Sequence, residues 1–200
     1  MTVFLYVEGG GDSKLLNVQC REGFSKLMQK AGFAGRLPRI VACGSRNNAY
    51  DAFKTRIGDG EVAILLVDSE DPVTTDHWIH LQRRDGWSRP PRAADDQAQL
   101  MTTCMETWLM ADQTALRAFF GPRLLEAALY PPQQLEERTR QDVLARLERA
   151  TRDCGREKTY AKGRISFQVL AEVNPQLLRA LPHFQRFIEA LRRYLPQPGV

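Results

Sequence analysis

The feature that most constrains the fold is the alternation of strand-like and helix-like segments in the first 70 residues. Residues 3–7, 39–42 and 62–67 are short apolar runs typical of buried strands, and residues 13–31 and 49–57 carry apolar side chains at helical spacing. This order predicts a parallel sheet, because each helix carries the chain back to start the next strand in the same direction. Continuous apolar strands are typical of sheets covered on both faces. The sequence therefore predicts an α/β fold of two or three layers.

Residues 73–97 lack this periodicity and are predicted to form a long loop. The stretch 82–92 gathers arginines, glycine, prolines and Trp87, a composition typical of irregular structure. A loop of this length inside a compact domain usually has a function. We therefore expect residues 82–92 to contact a substrate or form an interface, so that truncating them changes binding more than stability.

The second half of the chain is mainly helical by pattern, although residues 164–170 fit either the start of a helix or a late strand. The chain 1–200 is predicted to be one domain, with an α/β core at 1–72 and a helical portion at 98–195 that completes it. The segments with helical patterns are 100–111, 113–120, 141–151, 177–181 and 184–194.

Composition excludes several classes of protein. The longest apolar run, residues 62–67, has six residues, far fewer than the roughly 20 that cross a bilayer, and no secretory leader is visible. The four cysteines are far apart and show neither metal-binding nor disulfide-framework spacing. We therefore expect a cytoplasmic protein with reduced thiols. The net charge of +4 permits a nucleic-acid partner without requiring one.

Acidic residues follow two of the predicted strands. Glu8 comes directly after the first strand, and Asp68, Glu70 and Asp71 stand at the end of the third. Because ligands bind at the carboxyl ends of parallel strands, these carboxylates are expected to converge. Converging carboxylates need protons or a cation, and oxygen ligands suit Mg²⁺ or Mn²⁺. The sequence predicts a divalent metal site here; the alternative is that residues 68–71 form only a turn.

Two strand-to-helix junctions carry residues suited to phosphate. Glycines at the first permit close backbone approach, and an arginine at the second can donate paired hydrogen bonds. In the ordinary alternative, the glycines form a tight turn with Asp12 or Ser13 as helix cap. The second helix would then be capped by Asn47 or Asn48. The candidate phosphate-binding residues are Gly10, Gly11, Lys14, Ser45, Arg46 and Asn47.

Two further polar residues lie in the second half. Glu106 stands in the otherwise apolar segment 104–109, so it is either a candidate active-site acid or a residue that faces water. Lys162 lies in a basic, aromatic stretch that could meet phosphate or form a solvated loop. His77 and His80 have helical spacing, but their apolar neighbours favour a packed turn over a metal site.

Five segments of the chain together resemble the DUF4276 group of bacterial proteins, which look like divergent members of the Toprim superfamily. Toprim domains occur in topoisomerases, primases and overcoming-lysogenization-defect nucleases, and place a glutamate after the first strand and an Asp-x-Asp pair after a later one. The resemblance spans about residues 3–190. The segments are 8–14 (EGGGDSK), 39–47 (RIVACGSRN), 65–71 (LLVDSED), 104–108 (CMETW) and 160–163 (YAKG).

The resemblance implies a metal site made of Glu8, Asp68 and Glu70. Glu70 departs from the Toprim pattern, which has an aspartate there, so Asp71 is an alternative ligand. A further acid and a lysine complete the site in the nuclease branch. Glu106 and Lys162 match these two by residue type.

Sequence and resemblance together predict a Mg²⁺- or Mn²⁺-dependent nuclease acting on DNA or RNA. A defence system against phage, with a partner protein, is one setting for such an enzyme. The alternative is a non-catalytic component that binds metal or nucleotide at the acidic edge and docks a partner through its helical half. In the enzyme, Arg46 and Lys162 would hold phosphate. The expected catalytic residues are Glu8, Asp68, Glu70, Glu106 and Lys162.

Overall fold

The fold is built around one parallel sheet, described here from a computed structural model. The structure describes residues 2–11, 13–155 and 158–195, so the proposed cap Asp12 lies outside the described residues. The strand order is β2-β1-β3-β4, and every neighbouring pair is parallel, which confirms the predicted α/β class. The strands are β1 Val3–Val7, β2 Arg39–Ala42, β3 Val62–Asp68 and β4 Ala98–Met101.

Helices connect the strands and then make up most of the second half, as predicted. Residues 164–170, for which the sequence allowed two interpretations, are helical. In the described part of the chain, no helix combines the length and the apolar character needed to cross a membrane. The helices are α1 Lys14–Met28, α2 Arg46–Gly58, α3 His77–Asp85, α4 Met105–Ala111, α5 Gln113–Phe120, α6 Arg140–Thr151, α7 Arg164–Glu172 and α8 Pro182–Tyr194.

Both faces of the sheet are buried, which explains the continuous apolar strands. Side chains alternate along β1, so that Leu5 and Val7 pack into one core while Phe4 and Tyr6 pack into another. The first core also takes side chains from α1 and from the helices of the second half, and the second core takes them from α2 and α3. The sheet is therefore the middle layer of three.

One predicted helix is two elements. The pattern at residues 100–111 predicted a single helix, but Met101 ends β4 and pairs with Asp68 of β3. Helix α4 begins only at Met105. The prediction was wrong because a short apolar run fits a buried strand and a buried helix equally well.

The prediction of a long loop at residues 73–97 is also wrong. Helix α3 begins after Asp76, whose side chain accepts a hydrogen bond from Trp78 N at 2.8 Å, and ends at Gly86 with a φ of 74°. The helix buries His77, Trp78 and Leu81. The helix is short, and few of its residues are apolar. Their helical spacing is therefore not visible among the charged residues.

The segment 82–92 contributes to the core. Trp87 is 8% exposed, and its ring stacks on Tyr50 with centroids 4.5 Å apart. The Tyr50 hydroxyl donates a hydrogen bond to Ser88 O at 2.7 Å. Contrary to the sequence-based expectation, loss of this segment should therefore reduce stability first.

Replacing Trp87 with alanine is expected to lower the free energy of unfolding by about 3 kcal/mol, since it removes a buried aromatic ring and leaves a cavity. Urea unfolding measures this. Ile79→Ala on α3 is a matched control, because Ile79 is 45% exposed and its loss should cost less than about 0.5 kcal/mol. Equal effects of the two substitutions would contradict the assignment of Trp87 to the core.

Candidate metal centre

Three carboxylates meet at the carboxyl edge of the sheet. Glu8 directly follows β1, Asp68 is the last residue of β3, and Glu70 lies two residues further on. The oxygens that they offer all lie within 4.8 Å of one another. The parallel strands therefore bring these three sequence-predicted residues together.

Asp68 is the most deeply buried of the three, with 2% exposure. Its Oδ1 accepts a hydrogen bond from Met105 N at 2.8 Å, and its backbone N donates to Glu8 Oε2 at 3.1 Å. Burial, together with the charges of Glu8 and Glu106, raises the pKa of Asp68 to about 8. Burial also raises the pKa of Glu8, against the lowering effect of Arg46. The group therefore favours a proton or a cation as partner.

The third carboxylate is Glu70, and Asp71 lies outside the group. Glu70 has a φ of 69°, in the left-handed region, and its backbone N donates to Thr103 O at 2.8 Å. The Asp71 side chain is 69% exposed and pairs with Arg84, with 3.3 Å between Oδ2 and Nε. The alternative assignment of Asp71 as a metal ligand is therefore not supported by this geometry.

Two arginines from distant elements pair with Glu70. Arg140 Nη1, at the start of α6, is 3.0 Å from Glu70 Oε2, and Arg84 Nη2 of α3 is 3.9 Å from the same oxygen. The sequence analysis missed both. Neither arginine follows a predicted strand, so the expectation that functional residues lie at the ends of strands did not point to them.

Arg46 supports the carboxylates. Its Nη1 donates to Asp68 O and lies 3.6 Å from Glu8 Oε2, while its Nη2 is 2.6 Å from Asp85 Oδ2. The guanidinium also lies over the Trp87 ring, 5.2 Å from its centroid. Its positive charge therefore positions Glu8 and the end of β3, and its phosphate role stays a prediction.

Ser45 serves as a helix cap. Its Oγ accepts a hydrogen bond from Asn48 N at 3.2 Å, so the alternative that named Asn47 or Asn48 as the cap is wrong. Asn47 and Lys14 are exposed in the first turns of their helices. Among the described residues, Ser45 makes no hydrogen bond to the carboxylates.

The glycine turn after β1 is held against the turn after β2. Gly9 N donates to Gly44 O at 3.0 Å, and Gly44 N donates to Gly9 O at 2.8 Å. Gly10 has a φ of 92°, and a Cβ at this position would collide with the Asn17 side chain. Gly10 and Gly11 line the cavity beside the carboxylates, which keeps their predicted phosphate role open to experiment.

Glu106 is fully buried, so the alternative in which it faces water is wrong. Its Oε1 accepts a hydrogen bond at 2.5 Å from Tyr160 OH, which also lies 2.9 Å from Ser166 Oγ. Its Oε2 has no hydrogen-bond partner among the described residues, and its charge contributes to the raised pKa of Asp68. A buried, unsatisfied carboxylate oxygen next to other carboxylates fits a site that holds a cation.

Lys162 brings a positive charge to the site from the second half of the chain. It lies just before α7, its Nζ is 3.4 Å from Asp68 Oδ2, and its side chain is 47% exposed. Burial alone would lower the pKa of Lys162, but the carboxylates of Asp68 and Glu106 raise it above its ordinary value. The charged ammonium therefore faces both the carboxylate group and solvent.

The donor set suits a hard divalent cation. Glu8, Asp68 and Glu70 offer only carboxylate oxygens, the ligands that Mg²⁺ and Mn²⁺ prefer in proteins. A cavity of about 270 Å³ opens onto Glu8 and Asp68. A cation held there would be accessible to a ligand entering the cavity.

The histidines make other contacts. His77 Nδ1 is 2.8 Å from Ala98 O, and its Nε2 is 2.8 Å from His183 Nδ1. His80 Nε2 is 3.0 Å from Ser69 O. Burial lowers the pKa of His77 to about 3, so the ring is neutral at physiological pH. These rings connect α3 to β4, to α8 and to the turn after β3.

Replacing Asp68 with asparagine is expected to stabilise the metal-free protein at alkaline pH. Folding raises the pKa of this carboxyl from about 3.8 to about 8, which means that the folded state favours the protonated carboxyl. The stability that this proton contributes is present below pH 4 and is lost as the pH rises through 8. Asparagine does not titrate, so the variant should be more stable by up to about 5 kcal/mol at pH 8.5. Urea unfolding in EDTA at pH 5 and 8.5 measures the difference, with Asp71→Asn as control. An unchanged pH dependence in the Asp68 variant would contradict the argument.

Comparison with known proteins gives the family of the chain. A family model described as "Domain of unknown function (DUF4276)" matches residues 7–192, a range that contains all of the site residues described above. No curated protein and no solved structure matches the chain. Because the family model covers nearly the whole sequence, the chain belongs to the DUF4276 family.

Proposed function

We propose that this protein is a Mg²⁺- or Mn²⁺-dependent phosphodiesterase that cleaves nucleic acid. The observation that carries the proposal is the group of Glu8, Asp68 and Glu70 recessed at the carboxyl edge of a parallel sheet, with Lys162 beside it. The same residues carry the resemblance to Toprim nucleases, in which acids at these strand ends bind metal. A bound divalent cation would polarise the phosphoryl group and offset the charge that develops on its oxygens.

The protein supplies the rest of the chemistry through fixed charges. Arg46 and the Met105 backbone N–H hold Glu8 and Asp68 in place before any ligand arrives. The exposed part of Lys162 can donate to a phosphate oxygen while its Nζ remains near Asp68. In the hydrolysis, water adds to phosphorus, the bond to the leaving oxygen breaks, and the leaving oxygen takes up a proton. Glu106 Oε2 lacks a hydrogen-bond partner among the described residues and can accept a hydrogen bond.

A cleavage assay tests the proposal. Labelled single-stranded and double-stranded DNA and RNA are incubated with Mg²⁺, Mn²⁺ or EDTA. Metal-dependent products are expected, and Glu8→Gln and Asp68→Asn should reduce the rate by at least about 10³-fold because each removes a charged ligand. Asp71→Asn is the matched control, since Asp71 is an exposed acid outside the group.

Products that persist in both ligand variants would disprove the assignment. Calorimetric titration with Mn²⁺ separates the two functions considered for this chain. Metal binding that depends on Asp68, without cleavage of any substrate, would favour the non-catalytic component with a partner protein.

Lys162→Met is expected to separate metal binding from turnover. The substitution removes a positive charge 3.4 Å from Asp68, so Mn²⁺ should bind a few-fold more tightly. Cleavage should nevertheless fall by about 10²–10³-fold, because a cation that stabilises the transition state is lost. Lys158→Met is the control, since Lys158 donates to Phe119 O on another surface. Equal loss of metal binding and activity would assign Lys162 a structural role instead.

A further inference from the structure

We propose that the cavity beside the carboxylates receives a single unpaired nucleotide, so that the substrate is single-stranded nucleic acid or an unpaired segment of a folded strand. The inference rests on the proposed function for its cleavage readout and adds the class of substrate. It starts from where the cavity lies. Glu8 and Asp68 are at its polar end, and the glycine turn and the residues around Gly163 form its walls.

The size of the cavity excludes a double helix. Its volume of about 270 Å³ is just below the lower end of the roughly 300–1,000 Å³ that is usual for pockets holding drug-sized ligands. A base-paired duplex, whose major groove alone is about 12 Å wide, cannot enter it. Asp68 is 2% exposed and lines the cavity, so a phosphate that approaches Asp68 enters the cavity. One nucleotide that has left the base stack fits this requirement.

The lining has the chemistry of a base-binding wall. The apolar part of the cavity lining consists of Leu16, Met101, Met105 and Phe167, which can contact the face of a base. Ser166 Oγ already accepts a hydrogen bond from Gly163 N and contacts Tyr160 OH. The lining residues therefore offer no free side-chain amide or hydroxyl to read a base edge. We expect binding that tolerates any base.

The experiment uses one labelled 21-nucleotide strand in three forms: single-stranded, fully paired, and paired with a three-nucleotide bulge. With Mn²⁺, the single strand should be cut at least tenfold faster than the duplex, and the bulged duplex should be cut within its bulge. Comparable cleavage of the fully paired form would overturn the inference while leaving the proposed nuclease activity intact.

A pair of variants ties the selectivity to the cavity. Leu16→Trp, or Leu16→Phe if the larger residue destabilises the fold, fills the cavity and should weaken single-strand binding and cleavage at least tenfold. Leu15→Trp is the matched control, because Leu15 is the next residue of α1 and is 63% exposed. Mn²⁺ titration should be unchanged in both. An equal effect of the two substitutions, or none, would contradict the assignment.

A binding assay keeps the inference testable if no form is cleaved. Fluorescence anisotropy with Ca²⁺ compares the single strand with the duplex for the native protein and both leucine variants. At least tenfold preference for the single strand, lost only in the Leu16 variant, would support the cavity assignment even though the nuclease proposal had failed. Equal affinity for the two forms would overturn the inference.

Discussion

The site depends on the hydrogen bonds and ion pairs made by one residue, Asp68. Its backbone N meets Glu8 after β1, its carbonyl accepts from Arg46 of α2, and its carboxylate accepts from Met105 N of α4. Its second carboxylate oxygen lies 3.4 Å from Lys162, just before α7. Four segments that are far apart in sequence are thereby fixed around one buried carboxyl group. Two of these contacts use the main chain of Asp68, and the other two, with Met105 N and Lys162, depend on its carboxylate.

This arrangement is costly to the folded protein. Asp68 and Glu106 are both buried, and Glu106 keeps one oxygen without a partner among the described residues. Burial beside other carboxylates raises the pKa of Asp68 and weakens the fold at neutral pH, so a sequence selected for stability alone would avoid it. The nearby arginines reduce the cost only in part, because Arg46 and Arg140 reach Glu8 and Glu70 while Asp68 depends on Lys162. A buried group of like charges that lowers the stability of the fold is typical of functional sites.

The sequence predicted the carboxylate group well because parallel strands bring their carboxyl ends to one edge whatever the rest of the fold does. Glu8 and Asp68 needed only the strand assignments. The choice between Glu70 and Asp71 was not accessible, because it depends on a left-handed backbone at Glu70 held by Thr103 O. Helix α3 and strand β4 were missed for a different reason: each is short, and its identity is decided by tertiary partners. Strand β4 pairs with β3, and Trp78 of α3 packs against Phe53. Arg140 was missed because only the folded structure brings it next to Glu70.

The division of the site between the two halves of the chain means that neither half can carry the chemistry alone. The first half contributes the three clustered carboxylates, and the second contributes Lys162 and Glu106. The second half also completes the sheet, since β4 pairs with β3 next to Asp68 and α4 supplies the backbone N–H that fixes its carboxylate. Without those contacts the carboxylates would repel one another in a turn exposed to water, where a divalent cation binds weakly. The helical portion is therefore part of the candidate metal centre, because it supplies burial and hydrogen bonds to the acids at the strand ends.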